Sequence, residues 1–303
     1  MTLIGTQAFY DRSLADMASL RARAGSLQQS LGTGQKITRS SDDPVAASQL
    51  RLLSRSEALS NIDLKNANAA EADLVLADEA LSSMSGYVIR ATELATQAAN
   101  AALAPSQRMA IGKEITEIRS ALLDLANSRD SAGHSLFGGQ SSGKAYTLDA
   151  AGQALYVGTE AKSPIPIGEG LTVEPALTGP DFIASAQSNG TDLFATLSTL
   201  ATTLQSGAAG AADVARTSIT GLRAGLDALT TGQTIIGSRL GWIDVTNELR
   251  ISQSERAAVE QAELGGTDIA EAVTRLQQIT TALEASQAGF ARLSKLSLFD
   301  VIR

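Results

Sequence analysis

The chain has 303 residues, room for one large domain or two to three small ones, and its 44% hydrophobic content can bury a core. A net charge of −8 disfavours a phosphate-neutralising surface and so nucleic-acid binding, while the absence of cysteine and the single histidine, His134, exclude disulfides, thiolate chemistry and two-imidazole sites. No apolar run reaches 18 residues and Met1 to Leu20 lacks the basic and apolar regions of a leader, so neither membrane insertion nor a cleaved signal peptide is expected.

From about Thr6 to Leu31 the sequence predicts a helix. Met17, Leu20, Ala24, Leu27 and Leu31 recur at spacings of three and four, a heptad seam on one face. Gly32-Thr33-Gly34 ends it. Ser40-Ser41-Asp42-Asp43-Pro44 reads as a second helix start, with an aspartate cap and proline at the first helical position. No proline follows until Pro105, which leaves Val45 to Ala104 free to be helical. Pro105 opens another helix, with Ile111, Ile115, Ile118, Leu122 and Leu125 along one side.

The middle differs. Pro164, Pro166, Pro175 and Pro180 cluster there, and five aromatics (Phe137, Tyr146, Tyr156, Phe182 and Phe194) fall between 137 and 194. The span 137–189 therefore predicts a small β-rich insert, with strands at Ala145–Asp149, Ala154–Gly158 and Gly170–Glu174. Beyond Pro180 no proline occurs, and helices are expected over Asp192–Gln205 and Ala211–Leu264. After a break at Gly265-Gly266, Thr267 is expected to cap a last helix whose stripe is Ile269, Val273, Leu276, Ile279, Leu283, Phe290 and Leu293. Both terminal stripes are too narrow to hold a helix in water alone, so each needs the other or a neighbouring copy.

Chemistry-bearing motifs are sparse. Gly138-Gly139-Gln140-Ser141-Ser142-Gly143-Lys144 has the G-x-x-x-x-G-K spacing of a phosphate loop, but Ala145 replaces the Mg²⁺-holding hydroxyl and a strand, not a helix, should follow. Asp42-Asp43 reads as a cap rather than a catalytic carboxylate pair. His134 reads as a loop residue and Trp242 as buried packing. Nothing supports an enzyme, and no cofactor or metal site is expected.

The segment Leu31-Gly32-Thr33-Gly34-Gln35-Lys36-Ile37-Thr38-Arg39-Ser40-Ser41-Asp42-Asp43-Pro44-Val45-Ala46-Ala47 resembles the N-terminal signature of flagellin-type axial proteins, S-T-G-[KR]-x-[IV]-x-x-[PA]-[SA]-D-D-P-x-A-A, with Leu31 where the family usually has Ser. Leu123-Asp124-Leu125-Ala126-Asn127 with Leu136-Phe137-Gly138-Gly139, and Gly237-Ser238-Arg239-Leu240, are similar to later family motifs. Asp268-Ile269-Ala270-Glu271-Ala272-Val273 and the closing Leu296-Ser297-Leu298-Phe299-Asp300 resemble the hook–filament junction members rather than filament flagellins.

The resemblance implies a mainly α fold, a long helical bundle with paired N- and C-terminal helices and a small β-rich inserted domain. It implies a terminal domain of 1–40 with 266–303, a middle bundle of 41–136 with 190–265, and a variable surface domain at 137–189. The implied function is structural, in the zone between hook and filament; the alternative is a minor filament flagellin. The implied partners are the chain itself in a ring or helical assembly, the other hook–filament junction protein, flagellin and a flagellar export chaperone. The implied location is the extracellular flagellum, reached without a cleaved signal peptide. Met17, Leu20, Leu27, Leu31, Ile269, Val273, Leu276, Leu283, Phe290, Leu293, Leu298 and Phe299 would then face subunit neighbours, with Leu276, Leu283, Phe290 and Leu293 exposed in the free chain. Asp42, Asp43 and Pro44 would cap the helix at a domain junction.

Overall fold

The computed structural model describes residues 2–159, 163–168, 170–183 and 192–300, with side chains described from 8 to 292 within these spans. Among the described residues seven helices run in chain order as α1 (Thr2–Thr33), α2 (Pro44–Ala98), α3 (Pro105–Ala126), α4 (Gly179–Phe182), α5 (Leu193–Ser206), α6 (Ala211–Gly265) and α7 (Ile269–Asp300). Four short strands lie between α3 and α4: β1 (Tyr146–Leu148), β2 (Ala154–Tyr156), β3 (Ile165–Gly168) and β4 (Leu171–Val173). Glycine and proline set most of these boundaries. Gly34 and Gly207 take the left-handed conformation just past α1 and α5, and Pro44 and Pro105 open α2 and α3.

The chain divides into two compact units. One comprises Met1–Ala58 and Ser252–Arg303, the other Leu59–Ile251. In the second, α2 buries Ala67, Ala70, Leu74, Ala77, Leu81, Met84, Val88 and Ala91, a heptad row rich in alanine. Alanine keeps the neighbouring helices close, which suits a core with few aromatics. From α3 come Ile111, Ile115, Ile118 and Leu122; from α5 Leu193, Leu197, Leu200 and Leu204; from α6 Leu222, Leu229, Ile236 and Ile243. Helices α3 and α5 approach so closely at Gly112 that a Cβ there would lie 3.0 Å from both the Ala201 carbonyl oxygen and Leu204 Cβ.

The strands form two separate antiparallel pairs. Tyr146 stands opposite Tyr156 in β1–β2, and Ile165 opposite Val173 in β3–β4. Three of the four strands fall inside the expected spans, each shorter by two residues. β3 was not expected, because Pro166 argues against a strand; in a two-stranded ribbon it faces a free edge, where a missing N–H leaves no ladder bond unmade.

The β region is not set apart from the helices. Leu136, Phe137, Ile167, Val173, Leu177 and Phe182 are buried in the same core as the α2, α3, α5 and α6 rows, and the Phe137 and Phe182 rings meet edge-on at 4.7 Å. The end of the expected insert, residues 184–189, lies outside the described residues. Polar clamps bind it further. The Asn127 amide donates to the Leu123 and Tyr146 carbonyls and its oxygen accepts from the Tyr146 N–H, tying the C-terminus of α3 to β1. Arg239 donates to the Ala176 carbonyl and to Glu174, Arg250 to the Ile167 carbonyl, and Asn66 to the Pro166 carbonyl.

Candidate assembly interface

In the first unit, α1 and α7 pack along each other in opposite directions. The Tyr10 and Phe290 rings meet edge-on with centroids 5.2 Å apart near one end, and the Thr267 N–H donates to the Gly34 carbonyl at 3.0 Å at the other. That register sets Met17 level with Leu283 and Ala24 level with Leu276. Met17 and Ala272 are buried at 7% and 5% exposure. Leu20, Ala24, Leu27, Leu31, Leu276, Ile279, Leu283 and Phe290 are half-buried beside them.

The heptad seam thus closes within the chain. Leu276, Leu283 and Phe290 are not exposed as expected of the free chain, because the stripe of Met17, Leu20, Leu27 and Leu31 covers them. Ile269 and Val273 do point outward, at 66% and 39% exposure, as do Phe9 and Leu14 at 46% and 52%. The side chains of Leu293, Leu298 and Phe299 lie outside the described residues.

The two inter-helix breaks are joined to each other. Gln35 and Gly266 form an antiparallel bridge, and the Lys36 N–H donates to the Gly265 carbonyl at 2.7 Å. Gly266 is required here, since a Cβ would sit 2.3 Å from the Ala262 carbonyl oxygen. The two aspartates of the signature have different tasks. Asp43 Oδ1 accepts from the Val45 and Ala46 N–H groups and caps α2, with Pro44 as its first residue. Asp42 Oδ2 instead accepts from the Arg39 and Thr38 N–H groups and the Thr38 hydroxyl, closing the loop. The Arg39 amide is the largest cause of a carboxyl pKa held below the usual range, with Thr38 adding to it. At the start of α7 the cap is Asp268, whose Oδ1 accepts from the Glu271 N–H at 3.0 Å, and not Thr267. The Thr267 hydroxyl is buried without a partner at the edge of a groove of about 560 Å³ that Ser30, Thr38, Asp42 and Arg275 also line.

The 138–144 loop leads into β1, and Gly139, with φ of +65°, turns the chain so that the Gln140 N–H reaches the Thr159 hydroxyl. It has no helix to present phosphate-binding amides. His134 is exposed in a turn held by Asp130, whose Oδ1 accepts from the Ala132 and His134 N–H groups. Trp242 is not buried: at 46% exposure it lines a second groove with Pro164, Val173 and Ile235, because it lies one residue off the buried row of α6 at Ile243. Among the described residues no group of three His, Asp or Glu could hold a metal, and no helix is long and apolar enough to cross a membrane.

Residues 4–142 match the family model described as the bacterial flagellin N-terminal helical region. The chain is 26% identical over 318 residues to flagellar hook-associated protein 3 of Salmonella typhimurium, covering 99% of each. Among solved structures, a putative flagellar hook-associated protein from Vibrio parahaemolyticus shares the fold at a TM-score of 0.69 and 17% identity, covering 74% of this chain and all of that one. Flagellar hook associated protein-3 from Legionella pneumophila does so at 0.64 and 15%, covering 71% and 99%. Over residues 4–142 the chain is similar to the bacterial flagellin N-terminal helical region, and over 99% of its length to flagellar hook-associated protein 3.

Proposed function

We propose that this chain is a structural axial component of the bacterial flagellum, forming the junction zone that adapts the hook to the flagellin filament. The observation that carries this reading is the 99% coverage of flagellar hook-associated protein 3, which takes in both terminal helices as well as the β region between them. A filament flagellin would share the terminal helices; the similarity through residues 137–189 favours the junction protein.

In this reading the chain assembles with copies of itself, with the other hook–filament junction protein and with flagellin, after delivery by an export chaperone to the extracellular flagellum. The outward faces of the terminal pair, with Ile269, Val273, Phe9 and Leu14, meet neighbouring subunits. The seam formed by Met17, Leu20, Leu27, Leu31, Leu276, Leu283 and Phe290 keeps those faces in register. Leu293, Leu298 and Phe299, whose side chains lie outside the described residues, are assigned to the same contact. An apolar side chain that is half exposed in the free chain gains roughly 1 kcal/mol on burial, so several together drive association while leaving the free chain soluble. Deleting the gene tests the proposal: the account expects hooks without filaments and flagellin released into the medium, and filaments of normal length would contradict it.

A further inference from the structure

The outer faces of α2 and α6 in the first unit carry charges of opposite sign over the same stretch of the pair. Ala46, Ala47, Leu50 and Leu53 of α2 turn inward, and Leu50 lies against Gly265, where a Cβ would meet its Cδ1 at 3.1 Å. Gln261 of α6 reaches Glu57 of α2 at 3.4 Å. Helical phase then directs Arg51 and Arg55, one turn apart, away from α6, with Leu52 exposed beside them at 67%. On α6, Ala257, Gln261 and Leu264 turn inward, so Glu255, Val259 and Glu263 form an i, i+4, i+8 row on its far face, with Val259 59% exposed and Arg256 at the row's edge donating to the Ser252 carbonyl. Arg51 stands at the height of Glu263, and Arg55 within one turn of Glu255.

These charges have no intrachain ion partner among the described residues. Arg51 reaches only the Ser40 hydroxyl, at 3.3 Å, and Arg55, Glu255 and Glu263 make no ion pair. The two rows lie on opposite sides of the α2–α6 pair, so one chain cannot bring its own together. A second copy, placed alongside by rotation about an axis parallel to the helices, can. We infer that the Arg51–Leu52–Arg55 face of one copy docks on the Glu255–Val259–Glu263 face of the next. Each copy then offers one basic-apolar and one acidic-apolar edge, a heterologous contact that propagates around a ring or helix. Arg51 level with Glu263 sets the vertical register, Arg55 lies within one turn of Glu255, and Leu52 and Val259 lie between these charges. The inference rests on the proposed self-assembly and specifies its sideways contact.

The native chain has no cysteine, which permits a clean crosslinking test. Arg55→Cys, Glu255→Cys and the double variant replace the native gene in a motile bacterium, and intact cells and culture fluid are treated with a short bismaleimide. Blotting the chain wherever it sits should show a ladder of dimers, trimers and higher multimers for the double variant, at least tenfold above either single variant. A double variant that stays monomeric, or closes only within one chain, would overturn the inference, whatever its location. A ladder from material found away from the hook tip would support the contact and refute the junction role. Charge reversal gives an independent reading. Arg51→Glu with Arg55→Glu should abolish swimming, as should Glu255→Arg with Glu263→Arg, and combining all four should restore it. Unimpaired swimming of both reversed pairs would count against the contact.

Discussion

Replacing Leu283 by aspartate should open the terminal helix pair of the free chain. Leu283 is half-buried at the level of Met17, which is 7% exposed. Loss of half a leucine's burial costs about 1 kcal/mol, and a carboxylate set against the apolar seam adds roughly 1–3 kcal/mol. The sum, about 2–4 kcal/mol, must be met by two 32-residue helices that have only one seam between them and little stability apart. Circular dichroism of the purified monomer should therefore lose helix, and trypsin should cut within α1 and α7 while Leu59–Ile251 stays protected and melts as before. Ile269→Asp is the control: at 66% exposure it should shift the melt by no more than about 0.5 kcal/mol yet impair assembly. If Leu283→Asp leaves the monomer as intact as Ile269→Asp does, the seam is not closed within the chain and the reasoning fails.

Three further outcomes follow from the packing. Replacing 140–183 with a short Gly/Ser linker should unfold the second unit rather than be tolerated, and Phe182→Ala alone should cost about 3–5 kcal/mol by denaturant titration, because its ring is fully buried against Phe137. Burial is the first cause of a raised Tyr146 phenol pKa, with Tyr156 next, so the native state holds a proton that the unfolded chain releases. Its stabilisation is complete below about pH 10, the ordinary phenol value, and is lost as pH rises beyond it; alkaline melting should show the loss, and Tyr146→Phe should abolish that part of it. Asp43→Ala should lower the melting free energy of the first unit by about 1 kcal/mol, read by denaturant titration, through loss of the α2 cap.

The helices were largely legible because glycine, proline and aspartate punctuate them: Gly34, Pro44, Pro105 and Asp192 each stand at or beside a helix end. The signature aspartates were legible as a pair, though only Asp43 caps the helix; two adjacent carboxylates look alike until the loop shows which N–H groups each can reach. The same ambiguity hid Asp268 behind Thr267. The Met17 and Leu283 stripes were visible as heptads, but a heptad reads the same whether its partner is the chain's other end or another molecule. Proline density suggested a separate domain at 137–189. Its buried residues are scattered singly (Ile167, Val173, Leu177 and Phe182), with no period to signal that they complete a helical core. Trp242 looked buried by composition, and one step of helical phase places it outside. Placing Arg51 and Arg55 on one outer side of the α2–α6 pair and Glu255 and Glu263 on the other needed the register of the two helices, which no local pattern contains.

The central claim is a place and an extent, a short zone at the hook's distal end. Immunogold labelling of intact flagella with antibody against this chain measures both at once. The account predicts one spot of label where hook meets filament, unchanged as the filament lengthens. Continuous decoration along the filament would contradict it and identify the chain as a flagellin of the filament itself.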